Sequence, residues 1–115
     1  MRIKPVFVLA ALFTLGCLIS LSVEARAKSE TRTGWISDSI CGAKGMSAQH
    51  KACAIKCVTQ KGAKWVFVDA KTKTVYAIKN QDSVNEDQDL GKEVKVTAEP
   101  EGKDTLQVKS IAPAA

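Results

Sequence analysis

The chain is poor in the residues that usually announce a chemistry. Its 115 residues include one histidine, one tyrosine, two tryptophans and three phenylalanines. So few rings, with lysines scattered along the chain and not interleaved among them, exclude the stacking groove of a single-strand nucleic-acid binder. There is no Cys-x-x-Cys, which excludes a thioredoxin-type redox site, and no Cys-x-x-Cys-His, which excludes covalent c-type haem. Internal repeats and low-complexity tracts are absent. The net charge of +5 is mild and favours solubility over a nucleic-acid footprint.

What is present begins with an apolar leader. Arg2 and Lys4 precede an almost wholly apolar run from Pro5 to Val23, and Ala25-Arg26-Ala27 supplies a small-x-small site. This is the layout of a secretory signal peptide, residues 1–27, cut after Ala27. About 20 apolar residues are also enough to span a bilayer. Ser20, Ser22 and the Ala-x-Ala ending favour removal, so no transmembrane segment is expected in the mature chain. A lipid anchor at Cys17 is disfavoured, because Thr14-Leu15-Gly16-Cys17 is a poor lipobox and the apolar run continues beyond it. The expected location is the periplasm or the extracellular space. The mature chain, Lys28 to Ala115, carries a net charge of +3 once Arg2, Lys4, Arg26 and Glu24 are gone. Its length suits one small domain.

Export sets the redox context. Outside the cytoplasm cysteines tend to pair. Cys41, Cys53 and Cys57 leave one thiol over after a single bridge, so a monomer, or a species linked to a second chain through the odd cysteine, is expected.

Residues 28–32 read as a polar lead-in, and 33–112 as a single β-rich domain ending in a 113–115 tail. Thr33–Ser37 is a first strand, with Gly34 marking a bend or a close backbone approach. Lys64–Asp69 is apolar at four successive positions, which points to burial on both faces. Thr74–Ile78 is its hairpin partner. Asn80–Leu90 is polar, with Asp82 as the expected cap of one short helical turn carrying Val84. Glu93–Glu99 and Thr105–Ile111 alternate cleanly. The expected interior is Ile36, Val66 or Phe67, Val75, Val94, Val96, Ala98, Leu106 and Val108.

Five short strands leave exposed edges if laid flat. The expected fold is therefore mainly β with one short helix, a small five-stranded barrel of the oligonucleotide/oligosaccharide-binding (OB) type. The alternative is an open five-stranded sheet with one helix packed across it.

The reactive groups are concentrated in an insertion, residues 39–62. Ser47 is a plausible N-cap for a helix from Ala48 to Lys61, closed by Gly62. His50, Cys53, Ala54 and Cys57 then share a stripe by their i, i+3, i+4 and i+7 spacing. A Cys–His hydrolase needs a substrate cleft that 88 residues hardly provide, so catalysis is disfavoured.

The succession Gly34-Trp35-Ile36-Ser37-Asp38-Ser39-x-Cys41, His50-x-x-Cys53-Ala54-x-x-Cys57, Trp65–Asp69 and Asn80-Gln81-Asp82 resembles a group of small exported bacterial proteins classed as a domain of unknown function. The resemblance spans Gly34 to about Ile111. It implies export and a small β fold but no reaction. It also implies that Asp38, Cys41, His50, Cys53 and Cys57 form one constellation.

Two functions of different class remain. One is a non-catalytic binding or structural module stapled by a disulfide, without a cofactor. The other is a metal protein, with Cys41, His50, Cys53 and Cys57 as a Cys₃His set for Zn²⁺ or Cu(I). Asp38 is then a further ligand, an acceptor for His50 behind the ligands, or simply a turn-former. In one continuous helix His50 and Cys57 lie about 10.5 Å apart along the axis, which strains a single four-ligand ion. A bridge from the glycine-flanked Cys41 to Cys57, or to Cys53, requires no such reach, and the spacing favours it.

Overall fold

The computed structural model describes residues 28–114; the leader of residues 1–27, with its cleavage site and Cys17, and Ala115 lie outside the described residues. Five strands and two helices follow in order: β1 (Glu30–Asp38), α1 (Lys51–Lys61), β2 (Trp65–Asp69), β3 (Val75–Ile78), α2 (Glu86–Asp89), β4 (Val94–Glu101) and β5 (Thr105–Pro113). Short 3₁₀ turns at Gly42–Gly45, Ala48–His50 and Gln81–Ser83 complete the secondary structure.

The sheet forms a ring in the order β1-β2-β3-β5-β4, with β4 returning to β1. Every pairing is antiparallel except β3 with β5. The open-sheet alternative does not form, because Glu30–Gly34 pairs with Val94–Ala98. β1 serves two neighbours in succession, β4 along its first half and β2 along Gly34–Asp38. Gly34 is the crossover, registered to both Asp69 and Val94. A side chain there would run into the Val68 carbonyl and the Phe67 ring, so of the two roles expected of this glycine the close backbone approach is present.

β1 begins at Glu30, inside the stretch read as a polar lead-in, and β5 runs to Pro113, inside the stretch read as a tail. Both extensions are solvent-facing pairings with β4, which carry no hydrophobic alternation to be read.

The interior of the ring is filled by Ile36, Trp65, Phe67, Ile78, Val94, Val96, Ala98, Leu106 and Val108, with Ala54 of α1 and Leu90 closing on it. All five residues of β2 are buried, as its unbroken apolar run implied. Val66 and Val68 point away from the interior, and the Gly42–Gly45 turn packs on that side of β1 and β2. Val75, expected inside, is 37% exposed. Phe67 is registered to Tyr76, and strand alternation then sends Tyr76 and Ile78 inward and Val75 out. The short helical turn is also capped differently. Asp82 sits within a 3₁₀ turn, and Asn85 caps α2 by accepting from the N–H groups of Asp87 and Gln88. Asp89 returns the contact by accepting from Asn85 N–H.

The weak seam of the ring is β3–β5, which pairs only Ala77 with Thr105 and Ile78 with Leu106. Asn80 continues it on the β5 side, and Gln81 extends the neighbouring β2–β3 ladder. Asn80 Nδ2 donates to the Val108 carbonyl and Oδ1 accepts from Val108 N–H, both at 2.8 Å. Gln81 Oε1 accepts from Trp65 N–H at 2.7 Å, while its Nε2 donates to the carbonyls of Trp65 and Ile78. Each amide thus stands in for a strand residue.

Gln81→Ala should therefore cost about 2–3 kcal/mol by urea denaturation, because part-buried backbone groups of Trp65 and Ile78 at the end of the β2–β3 ladder lose their partner. The exposed neighbour Asp82→Ala should stay within about 0.5 kcal/mol of wild type. Equal effects at the two positions would contradict the assigned role.

Candidate functional site

The site is built from the end of β1. Asp38 closes that strand fully buried. Its Oδ1 accepts from the N–H groups of Ile40 (3.0 Å) and Cys41 (2.9 Å), a turn that reverses the chain out of the sheet. Its Oδ2 lies 2.7 Å from His50 Nε2. Ser37 Oγ donates to the Gly42 carbonyl at 2.8 Å and holds the returning segment against β1. Gly45 backs directly onto the His50 ring. One carboxylate therefore ties together the strand end, the loop and the segment that leads into α1.

That segment is helical from Ala48 to Lys61, as expected from the sequence. Ala48–His50 is a 3₁₀ turn, Ser47 makes no side-chain cap, and α1 proper begins at Lys51. The helix ends on Gly62 in the left-handed conformation (φ 76°), as the sequence suggested. The helix expected over Ala48–Lys61 is therefore present, with its first turn tightened to 3₁₀, but its reactive residues are not equally buried. Ala54 packs into the interior of the ring and Cys57 is buried, while Cys53 is exposed.

The outcome is a smaller cluster than the sequence proposed. One oxygen of Asp38 and the sulfurs of Cys41 and Cys57 all lie within 4.8 Å of one another. Cys53 and His50 are outside this group. The imidazole is instead held against Asp38, so it is an outer partner of the carboxylate. No disulfide links the three cysteines.

Electrostatics make the pair of thiols quiet. Burial pushes the Cys57 thiol up, and the nearby Asp38 charge and the other two cysteines push it further. Burial and Asp38 likewise raise Cys41. Lys44 and Lys61 oppose these effects only weakly. A nucleophilic cysteine needs the reverse, a cation or a helix N-terminus that stabilises thiolate. Burial also pushes the Asp38 carboxyl up, but hydrogen bonds from His50, Cys41 N–H and Ile40 N–H outweigh it and hold it below its ordinary value. With the carboxylate ionised, His50 Nε2 is the donor and carries the proton.

Sequence reasoning singled out all the members of this cluster, and both the turn-forming and the His50-accepting roles considered for Asp38 are present together. It missed Ser37, which fixes the returning loop, and read Gly42 and Gly45 only as making that loop pliable. Nothing in a serine near the end of a strand marks it.

A shallow depression of about 560 Å³ lies elsewhere, between β1 and the 69–72 turn. Arg32 lines it but is already engaged by Glu30, Asp69 and the Tyr76 ring. No helix among the described residues is long and apolar enough to cross a membrane. No protein-family model, curated protein or solved structure matches the chain.

Proposed function

We propose that the protein is an exported, non-catalytic binding or structural module of OB type, stapled by a Cys41–Cys57 disulfide and carrying Cys53 as its spare thiol. One observation carries this reading: the Cys41 and Cys57 sulfurs converge beside a buried carboxylate, while Cys53 stays apart and exposed. The strand order and the single parallel pairing, β3 with β5, support the OB assignment. So do the Asn80-sealed seam and the helix packed against the interior. The reading keeps the chain with the small exported bacterial proteins that it resembles.

Chemistry also favours a bridge over a pair of active thiols. Both groups are disfavoured as thiolates, so neither is poised as a nucleophile toward a substrate. Formation is an exchange with an oxidising protein disulfide: the two thiols lose two protons and two electrons, one S–S bond forms, and the oxidant leaves as a dithiol. In such a module the loop of residues 39–47 is held over β1 and β2, fixing the surface on that side.

The test is urea denaturation of the oxidised and the reduced protein. Closing a loop of about 15 residues is worth about 3 kcal/mol, so reduction should lower the unfolding free energy by about that amount. Cys53→Ser should leave the difference intact. Equal stability of the oxidised and reduced forms would overturn the staple.

A further inference from the structure

We infer that Asp38, Cys41 and Cys57 form a Zn²⁺ site when the Cys41–Cys57 pair is reduced, with His50 as the positioning residue behind Asp38. The inference rests on the same Cys41–Cys57 juxtaposition as the staple, but it replaces the Cys₃His set read from the sequence with a Cys₂Asp set. A tetrahedral ion with Zn–S about 2.3 Å and Zn–O about 2.0 Å separates its ligand atoms by about 3.5–3.8 Å. The three ligand atoms here lie within 4.8 Å of one another. They come from three distinct pieces of the fold: the end of β1, the returning loop and the buried face of α1. The packing of those pieces therefore brings the donors together before any ion arrives.

The donor set also selects the ion. Two sulfurs and a carboxylate oxygen suit a borderline cation such as Zn²⁺, whereas Cu(I) is satisfied by two thiolates alone and Ca²⁺ or Mg²⁺ by oxygen. Asp38 Oδ1 is occupied by two backbone N–H groups, but Oδ2 accepts only from His50 and keeps a lone pair. The histidine behind the carboxylate fixes its orientation, the arrangement that outer partners provide at metal sites. Three protein ligands leave one position for water or for an incoming ligand.

Binding exchanges two S–H bonds for two S–Zn bonds and releases two protons. It excludes the disulfide, because both use the same sulfur electrons. The staple and the ion are thus alternative states of one site, and a dithiol reductant that takes up the disulfide's oxidising equivalents converts one into the other.

The experiment titrates Co²⁺, then Zn²⁺, into the protein reduced with a phosphine. Absorption follows thiolate–cobalt charge transfer and tetrahedral cobalt bands, and circular dichroism monitors the fold. One equivalent of Co²⁺ with two-thiolate intensity, displaced by Zn²⁺, is expected. Cys41→Ser and Cys57→Ser should abolish the charge-transfer signature while the dichroism of each variant stays native. Cys53→Ser should bind as wild type, and His50→Gln should weaken binding about 10–100-fold with the spectrum retained. The oxidised protein should bind none. Three results would overturn the site: no Co²⁺ bound by the folded, reduced protein; binding lost in Cys53→Ser; or uptake of Cu(I) alone. Alkylation of the native protein before reduction counts the disulfide separately. A missing bridge with intact Zn²⁺ binding defeats only the staple, and a bridge without Zn²⁺ binding after reduction defeats only this inference.

Discussion

Gly34→Ala should destabilise the protein by about 3 kcal/mol or more, the upper range for forcing extra volume into a packed site. The reason is local and steric. A Cβ at position 34 meets the Val68 carbonyl and the Phe67 ring. Phe67 is itself fully buried at the middle of the interior and cannot swing aside. Residue 34 is also where β1 passes from pairing with β4 to pairing with β2, so a shift there disturbs both ladders. The comparison is the exposed neighbour Thr33→Ala, expected within about 0.5 kcal/mol of wild type. Urea denaturation of the two variants decides it. A Gly34→Ala protein less than 1 kcal/mol below wild type would mean that β1 does not make this crossover.

Asp38→Ala should cost about 3–5 kcal/mol, because several part-buried donors are left without an acceptor at about 1–3 kcal/mol each. Three donors, His50 Nε2 and the N–H groups of Ile40 and Cys41, lose their acceptor at once. Because the two side chains share one interaction, Asp38→Ala and His50→Ala should be non-additive, the double variant being less unstable than the two losses combined. Additivity would show that the pair contributes nothing. The same carboxyl sets an acid limb. Asp38 is held below its ordinary value, and so is Asp69, where burial is outweighed by the N–H groups of Thr72 and Lys71 and by Arg32. A depressed folded-state value gives stability that is fully present above the unfolded-state pKa of about 3.9 and lost as pH falls through the folded-state value. Wild-type stability should therefore fall steeply below about pH 4, and Asp38→Ala should be flatter in that window. Parallel curves would contradict this.

Much of the fold was legible because its signals are local. Val94, Val96, Ala98, Leu106 and Val108 alternate with polar residues, and the run Trp65–Asp69 declares a strand buried on both faces. The sequence was mute where one side of a strand has no partner to bury. Glu30–Arg32 and Pro113 are strand residues whose neighbours are solvent and β4, so their composition resembles a lead-in and a tail. At Val75 either face of T-V-Y-A-I could have been the inner one, and the larger Tyr76 and Ile78 took it.

The site was legible in its members and not in its arrangement. Spacing along an assumed helix grouped His50 with Cys53 and Cys57. The helix formed over that stretch, but the Asp38 carboxylate captured the imidazole. Which cysteine faces inward depended on Ala54 packing into the core, since its place on α1 brings Cys57 in and leaves Cys53 out. The Asn80 amide mends the β3–β5 seam, which exists only once the ring has closed, and the Gln81 amide extends the β2–β3 ladder. No reading of residues one segment at a time could assign them those tasks.

The most direct measurement is differential alkylation of the native protein, with peptide mapping before and after reduction. Cys41 and Cys57 should be protected and recovered as one linked pair of peptides, and Cys53 should be labelled at once. A Cys41–Cys53 linkage, or immediate labelling of Cys57 in the folded, unreduced protein, would contradict the account.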